Sequence, residues 1–278
     1  MQTIQQALSY AVLQLQTIAD APVLEAEVLL AFVLRKERSY LYAWPQATLT
    51  SAQEDQFASY LHRRLQKEPI AYITGSREFW SFELQVTNAT LIPRPETELI
   101  VETVLNAFPP ATCLQVADLG TGSGAIAAAL AKERPNWEIF AVDNNEATLK
   151  VAQDNAKRLD LPNISFFAGN WCEPLAALRF DVIVSNPPYI AETEWADYAA
   201  GLAFEPRGAL VAGEDGLSAI REISCGAKQL LKTKGMIFLE HGASQGAAVR
   251  AILLQDGYKN CYSVRDLAGH ERMTTAQI

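Results

Sequence analysis

The chain is poor in the residues that build metal sites and disulfide frameworks. It has only four cysteines and three histidines in 278 residues: Cys113, Cys172, Cys225, Cys261, His62, His241 and His270. The cysteines form no C-x-x-C pair, and no histidine lies near one at the spacing of zinc ligands. We therefore expect no metal site, and we expect the reduced thiols that are usual in cytosolic enzymes.

Basic charge and long apolar runs are scarce as well. Lys and Arg number 23 against 32 Asp and Glu, which gives a net charge of −9 and a pI near 5.0. Because a basic surface supplies most of the affinity for nucleic acid, we expect no stable nucleic-acid binding, although a basic protein partner is not excluded. No stretch of about 18 apolar residues and no signal-peptide pattern occurs, so we expect a soluble, cytoplasmic protein that does not enter membranes.

The chain does contain a helical segment, residues 1–75. Apolar residues recur there at helical spacing, and Pro22 suits the first position of a second helix. Ser51, with Glu54 three residues later, forms a capping box that predicts the start of a third helix, which stops at Pro69. Because no β–α–β pattern occurs here, we predict a small helical bundle.

Residues 76–95 are predicted to form a β-hairpin that links the bundle to the rest of the chain. Aromatic and β-branched residues alternate with polar ones over 78–92. The turn of the hairpin falls at either Trp80-Ser81 or Thr87-Asn88.

The hairpin leads into the sequence IPRPETE, Ile92 to Glu98. Its two prolines impose an extended approach to the next helix, and its acidic residues favour the first turn of that helix. Arg94, held between the prolines, either contacts a substrate or pairs on the surface with Glu96 or Glu98.

Residues 96–278 alternate strand and helix patterns, which predicts an α/β fold with a Rossmann-like, mostly parallel sheet. Five parallel strands are predicted at 114–119, 138–142, 164–167, 181–185 and 236–240, followed by two closing antiparallel strands at 258–264 and 272–276. The segment 190–216 lacks periodicity, and its length is typical of a functional loop or lid.

The sequence DVIVSNPPYI, Asp181 to Ile190, joins a buried strand to a stiff polar turn. Pro187 and Pro188 cannot donate to a sheet ladder, so Asn186 and Tyr189 come to lie at the carboxyl end of a central strand, where open α/β sheets bind ligands. The Asn186 side chain and the Pro187 carbonyl can hold the NH2 of a planar amide or amidine while Tyr189 covers its face. An ordinary tight turn is the alternative.

The sequence DLGTGSGAI, Asp118 to Ile126, follows the first strand of the predicted sheet. Its alternating glycines allow close approach of a ligand to a helix N-terminus, but they also fit the dinucleotide pattern of nicotinamide oxidoreductases. Asp118 can face an ammonium group and would repel a pyrophosphate. Asp143 ends the second strand and can accept from both ribose hydroxyls, unless it caps the next helix, a role that Asn145 can fill instead. Together these groups fit S-adenosylmethionine.

Gly169-Asn170-Trp171 follows the third strand at the same edge of the sheet. Trp171 can flank an adenine ring and Asn170 can bond the edge of that ring; a plain core position for Trp171 is the alternative. The predicted edge therefore brings a sulfonium donor site and the Asn186 turn together, in line for methyl transfer to a held nitrogen.

Six stretches spread over nearly the whole chain match one family: YITGSREFWSFELQV, LIPRPETELIVE, DLGTGSGAIAAALA, SNPPYI, FEPRGALVAGEDGL and DLAGHERMT. They resemble the peptide-chain-release-factor glutamine N5-methyltransferases, a family of class I S-adenosylmethionine-dependent methyltransferases. LIPRPETE joined to NPPY is specific to this family, whereas NPPY alone is shared with adenine-N6 and some ribosomal RNA methyltransferases.

The resemblance implies S-adenosylmethionine as donor and, as acceptor, the glutamine of the Gly-Gly-Gln motif in class 1 release factors, met by a monomeric enzyme. It places donor contacts at Gly120, Thr121, Gly122, Ser123, Gly124, Asp143, Trp171 and Asn186, and acceptor contacts at Asn186, Pro187, Pro188 and Tyr189. Because residues 1–75 contain no glycine loop and no acid at a strand end, we expect them to dock the partner and residues 96–278 to bind the donor. One position departs: the family usually has Gly-Asp-Trp where this chain has Asn170, and an amide cannot supply a carboxylate's charge. A ribosomal-protein glutamine is the nearest alternative acceptor, and an adenine base is further away.

Overall fold

The computed structural model describes all residues, 1–278, and divides the chain into two compact units, Met1–Ser76 and Arg77–Ile278. None of the helices combines the length and apolar content that a membrane span requires.

The first unit is helical, as predicted. Its helices are α1 (Ile4–Leu15), α2 (Pro22–Leu34), α3 (Arg38–Ala43), α4 (Ser51–Leu65) and α5 (Ile70–Thr74). Residues such as Leu15, Leu29 and Phe57 pack their buried side chains into one core. Pro22 opens α2 as predicted, whereas the short helices α3 and α5 were not predicted and α5 continues the chain beyond Pro69.

The predicted cap of α4 is wrong by one residue. Thr50, not Ser51, is the N-cap: its hydroxyl accepts from the Gln53 backbone N–H, and the Gln53 side chain accepts from the Thr50 N–H. Glu54, the expected partner of Ser51, instead accepts a hydrogen bond from the backbone of Gln2. Tertiary contact therefore chose between two overlapping capping patterns.

The second unit begins with the predicted hairpin, β1 (Ser76–Phe79) and β2 (Phe82–Gln85). Its turn is Trp80-Ser81, where both residues have positive φ, 50° and 63°. This left-handed pair matches the turn that suits the twist of two-residue hairpins. The IPRPETE segment then forms a 3-10 turn, Pro95–Thr97, that continues directly into α6 (Glu98–Ala107).

A seven-stranded sheet forms the centre of the second unit. Its elements in chain order are β3 (Gln115–Leu119), α7 (Ala125–Glu133), β4 (Glu138–Asp143), α8 (Glu146–Arg158), β5 (Ile164–Ala168), β6 (Phe180–Ser185), α9 (Trp195–Leu202), α10 (Ser218–Leu230), β7 (Leu231–Glu240), α11 (Gly246–Gln255), β8 (Lys259–Arg265) and β9 (Glu271–Gln277). The strand order is β5-β4-β3-β6-β7-β9-β8. Neighbours from β5 to β7 are parallel, and β9 is antiparallel to both β7 and β8, so the predicted closing pair is confirmed.

The central strands β3 and β6 carry apolar side chains on both faces, and both of their faces are therefore buried. Val182 and Val184 of β6 belong to the core that includes α6 and α7, whereas Ile183 between them belongs to the core that includes α10 and α11. The chain turns from β3 to β4 on one side and places β6 on the other. The carboxyl ends of β3 and β6 therefore flank the switch point at which such sheets bind ligands.

The segment 190–216 is more ordered than its sequence suggests. It contains α9 and two 3-10 turns, Glu192–Glu194 and Arg207–Ala209. Two parts of the segment are joined to each other by an isolated parallel bridge between Ile190 and Val211. The segment that follows β6 is therefore folded and is not an irregular loop.

Candidate active site

A cavity of about 290 Å³ lies at the carboxyl edge of the sheet. Nine of the predicted site residues line it: Arg94, Gly120, Thr121, Gly122, Ser123, Asp143, Trp171, Asn186 and Pro188. The structure thus brings the glycine loop, the end of β4 and the turn after β6 to one cavity. Five predicted residues do not line it: Asp118, Gly124, Asn170, Pro187 and Tyr189.

The glycine loop turns sharply at the end of β3. Gly120 (φ 72°) and Thr121 both donate backbone hydrogen bonds to the Val142 carbonyl, at 2.9 and 2.8 Å. A Cβ at Gly120 would lie 2.9 Å from the Trp171 ring, and one at Gly122 would meet no atom within 4 Å. Glycine at 120 therefore admits the indole, and glycine at 122 leaves its backbone open to the cavity.

Asp118, near the end of β3, stabilises this loop through hydrogen bonds. It is fully buried; its Oδ2 accepts from the Thr121 hydroxyl at 2.6 Å and from the Ala127 N–H at 3.2 Å, while Oδ1 has no partner. Burial raises the pKa of its carboxyl to about 6, against an ordinary value of 3.8. The side chain ties the loop to α7 rather than lining the cavity.

Asp143 faces the cavity at the end of β4. Its two oxygens accept from the backbone N–H groups of Gly122 and Asn145, both at 3.0 Å, and burial raises the pKa of its carboxyl. The cap of α8 is Asn145, whose side chain accepts from Ala147 and Thr148. Asp143 is therefore not required as the cap.

Trp171 and Asn170 follow β5. Trp171 lines the cavity with an unusual positive φ of 42°. Asn170 is exposed and does not line the cavity. Its Oδ1 accepts a hydrogen bond at 3.1 Å from the side chain of Asn144, which does line the cavity.

The Asn186 turn is fixed on several sides. Asn186 donates from Nδ2 to the Thr97 hydroxyl at 3.0 Å. Pro187 is buried, and Tyr189 is held by its backbone, which donates to Leu210 at 3.1 Å and accepts from the Gln245 side chain at 2.9 Å. Burial raises the pKa of the Tyr189 hydroxyl, so this ring is neutral.

Arg94 pairs with neither Glu96 nor Glu98. Its guanidinium lies 2.5 Å from the carboxylate of Glu205, which is nearly fully buried. The other oxygen of Glu205 accepts from the Ile92 N–H at 3.1 Å. The pair joins IPRPETE to the segment 190–216, and Pro206, the residue after Glu205, also lines the cavity.

Comparison with known proteins identifies the family. Residues 6–75 match the PrmC N-terminal domain and residues 96–205 the methyltransferase small domain. A release factor glutamine methyltransferase of Coxiella burnetii is 47% identical over 95% of both chains, and one of Salmonella typhimurium is 46% identical over 94% of both. The chain belongs to the release factor glutamine methyltransferase family. The family resemblance drawn from the motifs is thereby confirmed.

The fold of this family member also agrees with a solved structure of low sequence identity. A methyltransferase from Pyrococcus furiosus is 18% identical, with a TM-score of 0.51, over 79% of this chain and 98% of that one. The predicted α/β methyltransferase sheet is confirmed by this likeness and by the strand order.

One residue that supports the candidate site was not predicted, because its partners are remote in sequence. Asn155 of α8 is fully buried; it accepts from the Gln85 N–H at 2.7 Å and donates to the carbonyls of Gln85 and Ser123 at 3.0 and 2.9 Å. It joins the hairpin to the glycine loop. An asparagine on the apolar face of an amphipathic helix was the available signal.

Proposed function

We propose that this protein transfers a methyl group from S-adenosylmethionine to the side-chain N5 of the glutamine in the Gly-Gly-Gln motif of class 1 release factors, acting as a cytoplasmic monomer. The observation that carries the proposal is that one cavity is lined by both the glycine loop and Asn186. The family of the chain supports the acceptor, since curated relatives are named release factor glutamine methyltransferases.

The cavity residues suit an amino acid joined to an adenosine. The open backbone at Gly122 gives a close approach, and the Asp143 oxygens retain acceptor capacity for ribose hydroxyls beside their two N–H partners. Trp171 offers an aromatic face for the base, with Asn144, supported by Asn170, at its edge. When bound, S-adenosylmethionine would supply a methyl group on a positively charged sulfur.

The acceptor side is proposed at the turn after β6. Since Asn186 donates a hydrogen bond from Nδ2 to the Thr97 hydroxyl, its Oδ1 is left to accept a hydrogen bond from the NH2 of the acceptor amide. The Pro187 carbonyl would accept a hydrogen bond from the second N–H of that amide, and Tyr189 and Pro188 would cover its faces. These contacts would favour a pyramidal nitrogen, whose lone pair is no longer delocalised, and the proton would leave to water.

Positioning accounts for much of the expected rate. Holding two reactants in line can recover about 7–11 kcal/mol of a barrier. The turn is suited to this, because Pro187 is buried and the backbone of Tyr189 is held from two sides. Arg94, fixed by Glu205 at the cavity wall, would limit the path of the acceptor loop.

Residues 1–75 are proposed to dock the release factor. Eight of the 13 large exposed apolar residues lie in the first unit, although it holds 76 of the 278 residues: Met1, Tyr10, Leu13, Val23, Leu24, Phe32, Tyr42 and Trp44. This concentration of exposed apolar side chains in one unit supports a protein-docking role for that unit. Replacing Leu13 and Trp44 by Ser should raise KM for full-length release factor and leave donor affinity unchanged.

Transfer of a tritiated methyl group tests the function directly. The acceptors to compare are a class 1 release factor, the same factor with its Gly-Gly-Gln glutamine changed to alanine, ribosomal proteins, and DNA. We expect label only in the unaltered release factor. Label found only in ribosomal protein, or only in DNA, would mean that this molecule and not the release factor is the acceptor. Calorimetry with S-adenosylhomocysteine and with NAD tests the donor site, and tight binding of NAD alone would overturn it.

A further inference from the structure

Gln245 holds the far end of the Asn186–Tyr189 turn through a backbone carbonyl. It lies between β7 and α11, as the N-cap residue of α11. Its Nε2 donates to the Tyr189 carbonyl at 2.9 Å, and its Oε1 accepts from the Gly242 N–H at 2.8 Å. Gln245 does not line the cavity, so any effect it has on a substrate must pass through Tyr189.

The two partners of this carboxamide fix its orientation. A backbone N–H can only donate a hydrogen bond, and a backbone carbonyl can only accept one. Gln245 must therefore turn Oε1 towards Gly242 and Nε2 towards Tyr189. A carboxylate in the same place could accept from Gly242 but would have no hydrogen to donate to Tyr189.

The chain beside Gln245 is itself tied to the sheet. The Gln245 N–H donates to the Gly242 carbonyl at 2.9 Å, which closes a turn. His241 donates to the same carbonyl from Nδ1 at 2.9 Å, and its Nε2 lies 2.8 Å from the Thr274 hydroxyl in β9. The His241 backbone N–H donates to the Arg272 carbonyl, also in β9, at 2.9 Å. Gln245 thus connects the Asn186–Tyr189 turn to the paired strands β7 and β9.

The space around the Tyr189 carbonyl provides an independent observation. Gly216 has a φ of 72°, and a Cβ there would clash with the Tyr189 oxygen and lie 2.8 Å from Gln245 Nε2. Only a residue without a side chain fits beside this hydrogen bond. The segment 190–216 therefore packs closely against the contact and leaves the carbonyl little room to move.

We propose that Gln245 is a positioning residue that acts through the Tyr189 carbonyl to hold the Asn186–Tyr189 turn in place for the acceptor amide. The assignment rests on the proposed function, since it concerns the acceptor of the same reaction. The hydrogen bond from Asn186 to Thr97 holds one end of the turn, and Gln245 holds the other. With both ends fixed, the Pro187 carbonyl between them keeps a constant position.

The first test compares Gln245→Glu with the wild type in methyl transfer to release factor at about pH 8, where a glutamate is ionised. The carboxylate is close in shape to the carboxamide but cannot donate to the Tyr189 carbonyl. We expect kcat to fall by about 10- to 100-fold, because a misplacement of about 1 Å can cost about 100-fold in rate. KM for release factor and affinity for S-adenosylhomocysteine should stay nearly unchanged, because the substitution touches neither residues 1–75 nor the cavity lining.

Acid should restore part of the rate of Gln245→Glu. A protonated carboxyl has one O–H, which can donate to Tyr189, and one C=O, which can accept from the backbone N–H. The ratio of its kcat to that of the wild type should therefore rise as the pH falls from about 8 to about 5.5, since a carboxyl that faces a carbonyl has its pKa raised above the ordinary value of about 4.3. His241, Glu271 and Arg250 lie near this turn in both proteins, so the ratio removes the effect of their own titration.

Gln277→Glu is the matched control. The Gln277 carboxamide also bridges two groups: Nε2 donates to the Lys234 carbonyl at 3.1 Å, and Oε1 accepts from Asn260 Nδ2 at 3.1 Å. Gln277 pairs with Met236, towards the amino edge of the parallel strands, whereas the cavity lies at their carboxyl edge. This variant should keep the kcat of the wild type at every pH. A merely structural role for Gln245 predicts the same result for Gln245→Glu, with only a lower melting temperature.

Gly216→Ala tests the same carbonyl from its other side. The added methyl group clashes with the Tyr189 oxygen, so kcat should fall while affinity for S-adenosylhomocysteine persists. Gly269→Ala is its control, since Gly269 has a φ of 86° and a Cβ there would meet no atom within 4 Å. The control carries the same kind of backbone strain and should keep its kcat. If Gly216→Ala does not fold, the comparison of Gln245→Glu with Gln277→Glu decides.

Two results would overturn the assignment. One is a Gln245→Glu enzyme whose kcat equals that of the wild type at about pH 8. The other is a kcat that falls and does not recover in acid, because the defect would then not depend on the missing hydrogen.

A readout independent of turnover separates this inference from the proposed function. In carbon-13 NMR, the Tyr189 carbonyl signal should move in Gln245→Glu and return towards its wild-type position in acid. That behaviour without methyl transfer to release factor by the wild type would reject the proposed function and keep the contact. Methyl transfer by the wild type, with an unchanged rate in Gln245→Glu, would reject the positioning role alone.

Discussion

Replacing Asn186 with Ala is the sharpest perturbation of the proposed acceptor site. The change removes the carboxamide and keeps Pro187 and Pro188, so the direction of the backbone is preserved. If Asn186 holds the acceptor amide in the transition state, its loss should cost about 2.7–4 kcal/mol, or 10²–10³ in kcat, as for other preorganised polar groups. Affinity for S-adenosylhomocysteine should fall much less.

The effect on stability should be small by comparison. The side chain has one hydrogen bond, to Thr97, which is worth about 0.5–1.5 kcal/mol. For a unit of this size, that corresponds to a melting temperature lower by about 1–6 °C. Loss of rate should therefore exceed by far what unfolding explains.

Asn136→Ala is the matched control. Asn136 also donates from its side chain, to the Thr112 carbonyl at 2.5 Å and more weakly to the Cys113 sulfur at 3.7 Å, but it lies before β4, at the opposite edge of the sheet from the cavity. It should lose similar stability and keep its kcat. We would measure kcat, donor affinity and melting temperature on the same preparation of each variant. An Asn186→Ala enzyme with nearly wild-type kcat would mean that Asn186 only shapes a turn, and the acceptor site would have to be sought elsewhere.

Three further predictions concern the frame of the site. Asp118 has its pKa raised to about 6 in the folded protein, so its stabilising contribution is present below the ordinary value of 3.8 and is lost as pH rises through 6. The free energy of unfolding of Asp118→Asn, measured in urea, should therefore rise relative to that of the wild type by at most about 3 kcal/mol between pH 4 and 8. A difference that stays constant over this range would mean that burial does not destabilise the charged form of Asp118. Gly120→Ala places a methyl group 2.9 Å from the Trp171 ring at a φ of 72°, so it should weaken the binding of S-adenosylhomocysteine measured by calorimetry. Gly201 is a helical glycine whose added Cβ would meet no atom within 4 Å, so Gly201→Ala should bind as the wild type does. Equal binding by both variants would contradict the close approach of Trp171 to Gly120. Arg94→Met leaves the buried Glu205 without its partner and should cost about 1–3 kcal/mol in chemical unfolding, less than a fully buried pair because Arg94 is one-third exposed. Adding Glu205→Gln should recover part of that loss, and a double variant no more stable than the single one would show that the ion pair is not the cause.

The central strands of the sheet were predictable from sequence because they are buried on both faces. Val182, Ile183 and Val184 alternate between two cores, so the run is apolar throughout and cannot be mistaken for a surface strand. For α8 the sequence offered Asp143 and Asn145 as caps, and the structure uses Asn145. The α4 cap was not, because Thr50–Gln53 and Ser51–Glu54 are overlapping capping boxes and only the contact of Glu54 with Gln2 distinguishes them.

The candidate site was predictable only where its residues are close together in sequence. The glycine loop and the Asn186 turn each carry their own pattern within ten residues. The contacts that hold them do not: Arg94 and Glu205 are 111 residues apart, and Thr97 and Asn186 are 89 apart. Such pairs depend on the order of the strands, which a single sequence does not encode as a local pattern. This is also why Arg94 was assigned to nearby glutamates as the alternative to a substrate.

The strand order places two of the carboxyl groups with a raised pKa on either side of Asn186. β3, β6 and β7 are neighbours, so Asp118 and Glu240 lie on the strands that flank the strand before Asn186. Asp118 ties the loop on the proposed donor side to α7, and Glu240 ends the strand on the acceptor side. Burial raises the pKa of each carboxyl, so each contributes stability at low pH that is lost as the pH rises through about 6 and about 7. Urea unfolding of the wild type, Asp118→Asn and Glu240→Gln between about pH 5.5 and 8 should show this. The wild type should lose stability as the pH rises and each variant should lose less; a variant whose stability falls as steeply as that of the wild type would contradict the role of its carboxyl.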